Sequence, residues 1–166
     1  VDSLREAGAR TVVVVGAVPG GIPGGPRRRD SVAAGLAALP ADATHVLVHD
    51  AARPLASASL GRLVVARLAV GDVARVLPGI PVADTLKQVE GERVVTTVSR
   101  SGLIAVQTPQ GFVIDALREA HHADDADATD DAQLVERNGG TVVFVPGESS
   151  NLKITRPEDL AVAEAW

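Results

Sequence analysis

Uninterrupted apolar runs are the feature that most constrains how this chain can fold. They occupy residues 11–16 (TVVVVG), 44–49 (THVLVH), 73–80 (VARVLPGI) and 141–146 (TVVFVP). A strand with apolar residues on both faces is typical of a parallel sheet that is covered on both sides, whereas a half-exposed strand alternates apolar with polar residues. The runs therefore predict a mostly parallel sheet at the centre of the molecule.

Helical patterns separate the predicted strands. They lie at residues 31–39, 59–69, 112–122, 130–138 and 157–165. Alternation of strands and helices predicts a three-layer α/β sandwich of Rossmann-like type, formed by one domain over residues 1–166. Ligands bind such sheets at the carboxyl ends of the strands. His49 and Asp50 lie at the carboxyl end of a predicted strand, so we expect them at the ligand crevice.

Residues 84–98 predict a β-hairpin rather than another strand–helix unit. Two β-rich stretches flank Glu90 and Gly91, a dipeptide suited to a tight turn. We expect this β-arm, taken as residues 81–98, to project from the domain. Because a two-stranded ribbon is only marginally stable alone, we expect the arm to pack against another surface, such as a second subunit.

Composition excludes several classes of protein. The net charge is −5 and the pI is about 5.3, which argues against binding to nucleic acid or to an anionic membrane. The absence of Cys excludes disulfides and thiol catalysis, and no apolar run approaches the roughly 20 residues of a membrane span. We therefore expect a cytoplasmic protein. The chain has no Met and opens on Val1 in a helix-like stretch, so we also expect its N-terminal part to lie outside this sequence.

Residues 24–31 (GGPRRRDS) combine glycines, three arginines and a predicted helix start. Free backbone N–H groups and positive charge would make this segment an anion site. A disordered basic linker explains the same composition equally well. We expect Asp30 or Ser31 to cap the helix.

The turn after the run at residues 44–49 carries Asp50 and Arg53. An isolated charge pair of this kind is commonly an ordinary surface turn. Here the carboxylate follows an apolar strand at the crevice end, where it can hold Mg²⁺ or a sugar hydroxyl, and an arginine there can grip phosphate. Residues 107–110 (QTPQ) follow another apolar stretch and favour recognition of a polar ligand. Lys153 lies between apolar neighbours, and its side chain would face either solvent or the crevice.

Two further patterns have structural explanations. Thr155 and Glu158, with Pro157 near the first helical position, match a capping box. Residues 121–131 (HHADDADATDD) lack a fixed metal-ligand spacing, so we interpret them as a solvated helix end rather than a metal cluster.

Taken in order, several segments resemble the bacterial 2-C-methyl-D-erythritol 4-phosphate cytidylyltransferases, the IspD family of the non-mevalonate pathway of isoprenoid biosynthesis. The matching segments are GGPRRRDSVAAGL, VLVHDAARPL, PVADTLKQV, TVSRSGLIAVQTPQGF, ATDDAQLVE and SNLKITRPEDLAVAEA, within residues 24–166. The related ribitol-5-phosphate cytidylyltransferases share several of these segments, so ribitol 5-phosphate is the alternative substrate.

The resemblance implies a transferase of the nucleotidyltransferase type that acts as a homodimer. Such an enzyme transfers CMP from CTP to methylerythritol phosphate and releases pyrophosphate, with Mg²⁺ as cofactor. The β-arm would reach into the neighbouring subunit. Chemistry of this kind needs positioning and charge neutralisation more than a covalent nucleophile.

The resemblance also assigns roles to individual positions. The catalytic residues that would position the attacking phosphate are Arg100 and Lys153. The residues that would hold methylerythritol phosphate, some of them across the dimer interface, are Arg53, Thr85 and Thr108. Asp50 would lie between substrate, nucleotide and metal, and the cytidine end would contact Gly25 and Ser31.

The family pattern is not matched throughout. The family has a glycine-rich phosphate loop with an Arg and a Lys after its first strand, and no segment of this chain matches that loop. A short GAVPGGIP stretch replaces a helix and a strand, and Pro26 stands where the family often has Asp. We interpret the chain as an incomplete piece of a gene product rather than a degenerate relative. A non-catalytic module that dimerises or binds substrate is the alternative from a different class.

Overall fold

The structure is a computed structural model that describes residues 1–123, 135 and 139–166. Its helices are α1 (Asp2–Glu6), α2 (Arg28–Ala37), α3 (Ala58–Leu68), α4 (Ile114–Ala123) and α5 (Pro157–Glu164). Its strands are β1 (His45–Val48), β2 (Arg75–Pro81), β3 (Leu86–Glu90), β4 (Arg93–Val98), β5 (Ile104–Val106), β6 (Gln110–Val113) and β7 (Val142–Pro146).

A mixed sheet forms the centre of the domain. β6 lies between β1 and β2 and is antiparallel to both, while β7 pairs in parallel with the opposite edge of β2. β5 continues along the same edge of β2 as β6, with Val106 opposite Gly79. β1, β2 and β7 therefore run in one direction and β5 and β6 in the other. This confirms the predicted α/β class, and the sheet is mixed, with three of its five strands running in the same direction.

Helices cover both faces of the sheet, and side chains alternate between the faces. Along β1, Val46 and Val48 pack into a cluster with α2 and α4, whereas Leu47 packs into a cluster with α3. The buried members of the first cluster are Leu36, Phe112, Ile114, Leu117, Ala120 and Val135. Those of the second are Val64, Leu68, Val73, Val76 and Val145. The predicted three layers are confirmed, and each helical layer has its own apolar core.

The apolar run at residues 11–16 does not form the predicted strand. Among the described residues its β pairing is limited to one isolated parallel bridge between Val15 and Ile22. β1 pairs with β6 along one edge, and a cavity of about 800 Å³ is lined by β1 and by residues 12–15. A strand forms only where a neighbour satisfies its backbone N–H and C=O groups, and the cavity takes the place of that neighbour. The prediction was wrong because it used the side-chain pattern without a pairing partner.

Two predicted helix starts were also wrong. The helix predicted at 112–122 begins at Ile114, because Phe112 belongs to β6 and pairs there with Val46 and Arg75. The helix predicted from residue 31 begins three residues earlier, with Arg27 as its N-cap.

Neither of the predicted caps of α2 is therefore at the cap position. Asp30 is the third helical residue, and its Oδ2 accepts the backbone N–H of Arg27 at 3.1 Å. Hydrogen bonding to the Arg27 side chain lowers the pKa of Asp30. The carboxylate stabilises the first turn, where free N–H groups and negative charge suit each other.

The capping box of α5 uses a different carboxylate from the one predicted. Asp159 Oδ2 accepts the backbone N–H groups of Thr155 and Arg156 at 2.8 and 2.9 Å. These bonds lower the pKa of Asp159. Glu158 was the wrong partner, although Pro157 does occupy the first helical turn, as predicted. Most of the helix predicted at 130–138 lies outside the described residues.

The β-arm is the predicted hairpin. β3 and β4 are antiparallel, from Leu86 opposite Val98 to Glu90 opposite Arg93. Gly91 in the turn has φ of +59°, in the left-handed region that favours glycine. In the described part of the chain the arm pairs with no other strand. No helix within the described ranges is long and apolar enough to cross a bilayer.

Candidate active site

Asp50 lies in a tight turn directly after β1, at the predicted crevice end of the strand. The backbone N–H of Arg53 donates to the carbonyl oxygen of Asp50 at 3.0 Å and closes the turn. Asp50 Oδ2 lies 3.0 Å from Lys153 Nζ, and Oδ1 lies 3.8 Å from Arg28 Nη2. The carboxylate is therefore held between two cations from distant parts of the sequence. Of the two orientations left open for Lys153, the structure has the one that faces the crevice.

Lys153 reaches Asp50 because hydrogen bonds fix the backbone on both sides of the lysine. The backbone N–H of Ile154 donates to the carbonyl of Ala52 at 2.8 Å. On the other side, Asn151 is fully buried, and its Nδ2 donates to the carbonyl of Thr108 at 2.8 Å. The lysine backbone is thus attached both to the Asp50 turn and to the connection between β5 and β6.

Gln107 links that connection to the loop before Lys153. Its Nε2 donates to the carbonyl of Glu148 at 2.8 Å, and its Oε1 accepts the backbone N–H of Glu148 at 3.0 Å. The Glu148 carboxylate in turn accepts the hydroxyl of Ser57 at 2.6 Å, and Ser57 is the N-cap of α3. The loop that carries Lys153 is therefore anchored to the sheet and to a core helix.

Gly25 and Ser31, both predicted to contact the nucleotide, lie together at the start of α2. The backbone N–H of Gly25 donates to Ser31 Oγ at 3.2 Å. A Cβ on Gly25 would lie 2.3 Å from the Cβ of Asp30, so a side chain does not fit there. Arg28, in the first turn of the same helix, approaches Asp50. The segment therefore starts a helix and is not a disordered linker. A helix N-terminus beside an arginine suits an anion, and the anion site itself stays a prediction.

Thr108 is buried, at 4% exposure, and contacts the backbone of Asp50. Its Oγ1 accepts the Asp50 N–H at 3.0 Å and lies 2.9 Å from His49 Nδ1. His49 Nε2 lies 3.2 Å from the carbonyl oxygen of Arg53. Burial lowers the pKa of His49. The role in holding substrate implied for Thr108 stays a prediction. His49 was expected at the crevice, but no motif predicted its contacts with Thr108 and Arg53.

The guanidinium of Arg53 is directed at backbone carbonyl groups. Its Nη1 donates to the carbonyl of Asn151 at 2.7 Å, and its Nη2 donates to that of Val106 at 3.1 Å. Burial lowers the pKa of Arg53. In this arrangement Arg53 joins the Asp50 turn to the loop before Lys153. Its predicted contact with a phosphate stays a prediction.

Arg100 and Thr85 lie apart from this cluster, next to the β-arm. A guanidinium nitrogen of Arg100 donates to the carbonyl of Ala83, and both Arg100 and Thr85 are exposed. Among the described residues no hydrogen bond or ion pair joins either of them to Asp50. Their predicted roles at the substrate are not tested by the contacts within one chain.

The fold and the arrangement of this site place the chain among α/β proteins of the nucleotidyltransferase type. A carboxylate at the end of a strand, two cations beside it and a glycine-bearing helix N-terminus are the parts that handle phosphate in such sheets. The family model described as IspD, 2-C-methyl-D-erythritol 4-phosphate cytidylyltransferase, matches residues 9–166. The chain belongs to this family.

Individual relatives agree with the family match. The chain is 56% identical over 145 residues to a bifunctional enzyme IspD/IspF of Solidesulfovibrio magneticus. This alignment covers 86% of the present chain and 36% of the Solidesulfovibrio protein. It is 55% identical over 148 residues to a 2-C-methyl-D-erythritol 4-phosphate cytidylyltransferase of Saccharopolyspora erythraea, covering 87% of this chain and 66% of the relative.

Solved structures show the same fold. The crystal structure of 2-C-methyl-D-erythritol 4-phosphate cytidylyltransferase from Thermus thermophilus matches with a TM-score of 0.83 at 42% identity. That match covers 99% of this chain and 84% of the other. Among curated relatives, the chain spans 36% of the Solidesulfovibrio protein and 66% of the Saccharopolyspora protein.

Proposed function

We propose that this chain provides the acceptor side of a cytidylyltransferase. The enzyme would convert CTP and 2-C-methyl-D-erythritol 4-phosphate into 4-diphosphocytidyl-2-C-methyl-D-erythritol and pyrophosphate. The observation that carries the proposal is Asp50 held between Lys153 and Arg28, next to the glycine turn of α2. The family relationship supports the choice of substrates, and the charges at the site suit two phosphate-bearing molecules.

The reaction forms one P–O bond and breaks another. An oxygen of the methylerythritol phosphate attacks the α-phosphorus of CTP, and the oxygen between the α- and β-phosphorus leaves with pyrophosphate. Catalysis then depends on bringing anions together and neutralising their charge, because no covalent enzyme nucleophile is needed. Lys153 and Arg28 would supply positive charge, and Asp50 would hold both cations in place before the substrates arrive.

Mg²⁺ fits this site as an ion that arrives with the triphosphate. Asp50 presents one carboxylate, and the described residues contain no group of three His, Asp or Glu side chains suited to a metal. Proteins commonly hold Mg²⁺ with one or two carboxylates together with substrate phosphates and water. Asp50 is the residue that would hold it, and the ion would offset negative charge on the phosphates.

The cavity beside β1 indicates where further chain would complete the site. Its polar end is lined by Arg28, Ser31 and Asp50, and the rest largely by the apolar side chains of β1 and residues 12–15. An extended apolar segment running parallel to β1 would pair with both flanking segments and end beside Asp50. The proposal therefore includes a strand in this cavity, followed by the family's glycine-rich loop with its Arg and Lys.

The β-arm is the surface that we assign to a homodimer. Val89, Val94 and Val95 on the arm are 55%, 56% and 46% exposed. Apolar side chains on a hairpin that is marginally stable alone favour coverage by a second copy. Arg100 and Thr85, beside the arm, would then face the site of the partner. Sedimentation over a range of protein concentrations tests the proposed homodimer, and a monomer at every concentration would contradict it.

The cytoplasmic location of the protein stays a prediction.

Pyrophosphate release tests the reaction. For this test the chain is joined behind an N-terminal segment that carries the family's glycine-rich phosphate loop. With CTP, Mg²⁺ and methylerythritol phosphate we expect pyrophosphate, and Lys153→Ala should slow its release about 100-fold, as for loss of one charge-stabilising donor. The matched control is Arg67→Ala, which removes another cation paired with a carboxylate, that of Asp72, away from the site and should change the rate little.

Two outcomes would replace the proposal. Release with ribitol 5-phosphate but not with methylerythritol phosphate would establish the alternative substrate. A dimer that gives no heat on calorimetric titration with CTP and releases no pyrophosphate would favour a non-catalytic module.

A further inference from the structure

We propose that Gln110 is a positioning residue, which connects the buried Arg75 to the loop that carries Lys153. Two hydrogen bonds form this amide relay. Arg75 Nη2 donates to Gln110 Oε1 at 2.7 Å, and Gln110 Nε2 donates to the carbonyl oxygen of Gln107 at 3.3 Å. The inference deepens the proposed function and rests on it only for the task of Lys153. The relay itself can be tested without any activity.

Arg75, the first residue of β2, is a charged side chain in an apolar environment. It is 0% exposed, and its guanidinium carbon lies 4.8 Å from the centre of the Phe112 ring, which belongs to the apolar cluster with α2 and α4. Burying a charge costs free energy, and apolar side chains of similar volume often fill such a position without loss of stability. Stability alone therefore does not explain an arginine here, whereas the task of orienting a neighbouring polar group does.

The guanidinium of Arg75 determines which way the Gln110 amide points. Its nitrogens only donate hydrogen bonds, so the amide oxygen of Gln110 must face Arg75. The NH₂ group of Gln110 then faces the other way and donates to the carbonyl of Gln107. With the amide reversed, its oxygen would meet the carbonyl oxygen and its NH₂ group would meet the guanidinium, so both contacts would be repulsive. Arg75 thus fixes the direction of the relay.

β2 holds the backbone of Gln107 on both sides of the residue. The N–H of Gln107 donates directly to the carbonyl of Pro78 at 2.8 Å, and its C=O accepts from Gln110, which Arg75 orients. With the backbone held, the Gln107 side-chain amide binds the N–H and C=O groups of Glu148 at 3.0 and 2.8 Å. The relay therefore runs from the interior of the sheet to the start of the Lys153 loop.

The position of Lys153 depends on the loop that Gln107 holds at Glu148. Lys153 Nζ lies 3.0 Å from Asp50 Oδ2. A displacement of the Gln107 amide moves the loop relative to the Asp50 turn, and misplacement of a charge by about 1 Å is enough to cost about 100-fold in rate.

Both glutamines of the segment at residues 107–110 have their amides bonded inside the protein. Gln110 is 2% exposed and Gln107 is 4% exposed. The sequence pattern favoured recognition of a polar ligand by this segment, and the relay gives its two amide side chains a different task, which is to position the cation that meets the ligand.

The first experiment tests the relay in residues 1–166 by NMR. In the wild type, the NH₂ protons of Gln110 should give stronger nuclear Overhauser effects to the backbone at Gln107 than to the guanidinium protons of Arg75. This measurement reads the direction of the Gln110 amide and needs no variant.

The substitution Gln110→Glu separates the two bonds of the relay. A carboxylate keeps the acceptor for Arg75 but has no N–H for the Gln107 carbonyl. The backbone amide of Glu148 should therefore exchange with solvent about tenfold faster. The internal control is the amide of Ile114, which donates to the carbonyl before β1 at residue 44 and should exchange within about twofold of the wild-type rate.

The second experiment measures pyrophosphate release by the chain joined behind the phosphate-loop segment. Gln110→Glu should lower kcat about ten- to a hundredfold and leave the KM for CTP within about twofold, because the relay acts on Lys153 rather than on the nucleotide end at α2. In a Lys153→Ala background the same substitution should have little further effect, since residues that act through one another are not additive.

Arginine variants test the other end of the relay. Arg75→Lys keeps a cation that only donates, so it should hold the Gln110 amide in the same direction and retain kcat within about threefold. Arg75→Met has a similar length but no donor, and it should lower kcat as Gln110→Glu does. The matched control is Arg67→Met, which removes an arginine paired with Asp72 away from the site and should change kcat little.

The outcomes separate the relay from the reaction. Stronger Overhauser effects from the Gln110 NH₂ group to the guanidinium than to Gln107 overturn the relay. Wild-type exchange of the Glu148 amide in Gln110→Glu overturns it too, and equal acceleration of the Glu148 and Ile114 amides would show a general loss of stability instead. Full kcat in Gln110→Glu, or an effect confined to the KM for methylerythritol phosphate, excludes the positioning role. If the NMR results are as expected but the joined wild-type chain releases no pyrophosphate, the proposed reaction fails and the relay stands.

Discussion

Replacing Gln107 with Leu should destabilise the protein and loosen the loop that carries Lys153. Leu has nearly the shape of Gln but can neither donate nor accept a hydrogen bond. The substitution removes the bonds of 2.8 and 3.0 Å that Gln107 makes to the backbone of Glu148. It also removes weaker contacts of 3.4 and 3.3 Å with the side-chain amide and carbonyl oxygen of Asn151.

The expected loss in the free energy of unfolding follows from these contacts. A neutral hydrogen bond contributes about 0.5–1.5 kcal/mol net, and a buried group left without a partner costs about 1–3 kcal/mol. Gln107 is 4% exposed, so the Glu148 groups have limited access to water after the change. Counting two strong bonds and some gain from the buried Leu, we expect a loss of about 2–4 kcal/mol in the free energy of unfolding.

Urea unfolding followed by circular dichroism measures the loss. With m of about 2 kcal/mol/M, the midpoint should fall by about 1–2 M and m should stay unchanged. The matched control is Gln88→Leu on the exposed face of β3, which should change the free energy by less than about 0.5 kcal/mol. An unchanged midpoint for Gln107→Leu would refute the argument that the amide network anchors the Lys153 loop.

Three further predictions concern other parts of the site and the fold. Gly25→Ala should weaken CTP binding in calorimetry, because its Cβ would lie 2.3 Å from that of Asp30, and wild-type affinity would contradict the nucleotide contact. If Arg100 binds the substrate phosphate, Arg100→Ala should weaken binding of methylerythritol phosphate by about 1.5–3 kcal/mol. An unchanged affinity would exclude this contact. For Asp159, whose folded pKa is lowered from 3.8, the carboxylate stabilises the protein above that value. The difference in urea midpoint between wild type and Asp159→Asn should therefore be present at pH 7 and shrink as the pH falls below 3.8, and a difference independent of pH would refute it.

The side-chain pattern was sufficient to predict a strand wherever the apolar run also has a pairing partner in the structure. The runs that became β1, β2 and β7 are bounded by polar or turn residues and have partners in the described chain, so pattern and structure agree. The run at residues 11–16 has an equally strong pattern but forms no ladder, because pairing depends on what lies beside it. Phe112 was assigned to a helix because its apolar neighbours continue into α4, and only its partner Val46 shows that it belongs to a strand.

The site was predictable in part. The position of Asp50 follows from the rule that ligands bind at strand ends, and a helix start at residues 24–31 follows from their composition. The nucleotide contacts of Gly25 and Ser31 are implied by the family resemblance alone. The orientation of Lys153 was not predictable, because it depends on Asn151, a residue whose bonds cross more than 40 positions of sequence. His49 was expected at the crevice end of β1 but was given no role, because its contacts with Thr108 and the carbonyl of Arg53 depend on segments distant or folded back in the structure.

The distribution of buried polar residues supports a site at the end of β1 independently of any relative. Gln107, Thr108 and Asn151 are each at most 4% exposed, and they bond to one another across the connection between β5 and β6. Burying polar groups costs free energy that apolar side chains of the same size would not cost, and even when bonded they contribute little net stability. A chain shaped only for stability would place apolar residues there. The presence of these three residues beneath Asp50 is explained if they hold three chain segments in the geometry that a charged ligand requires.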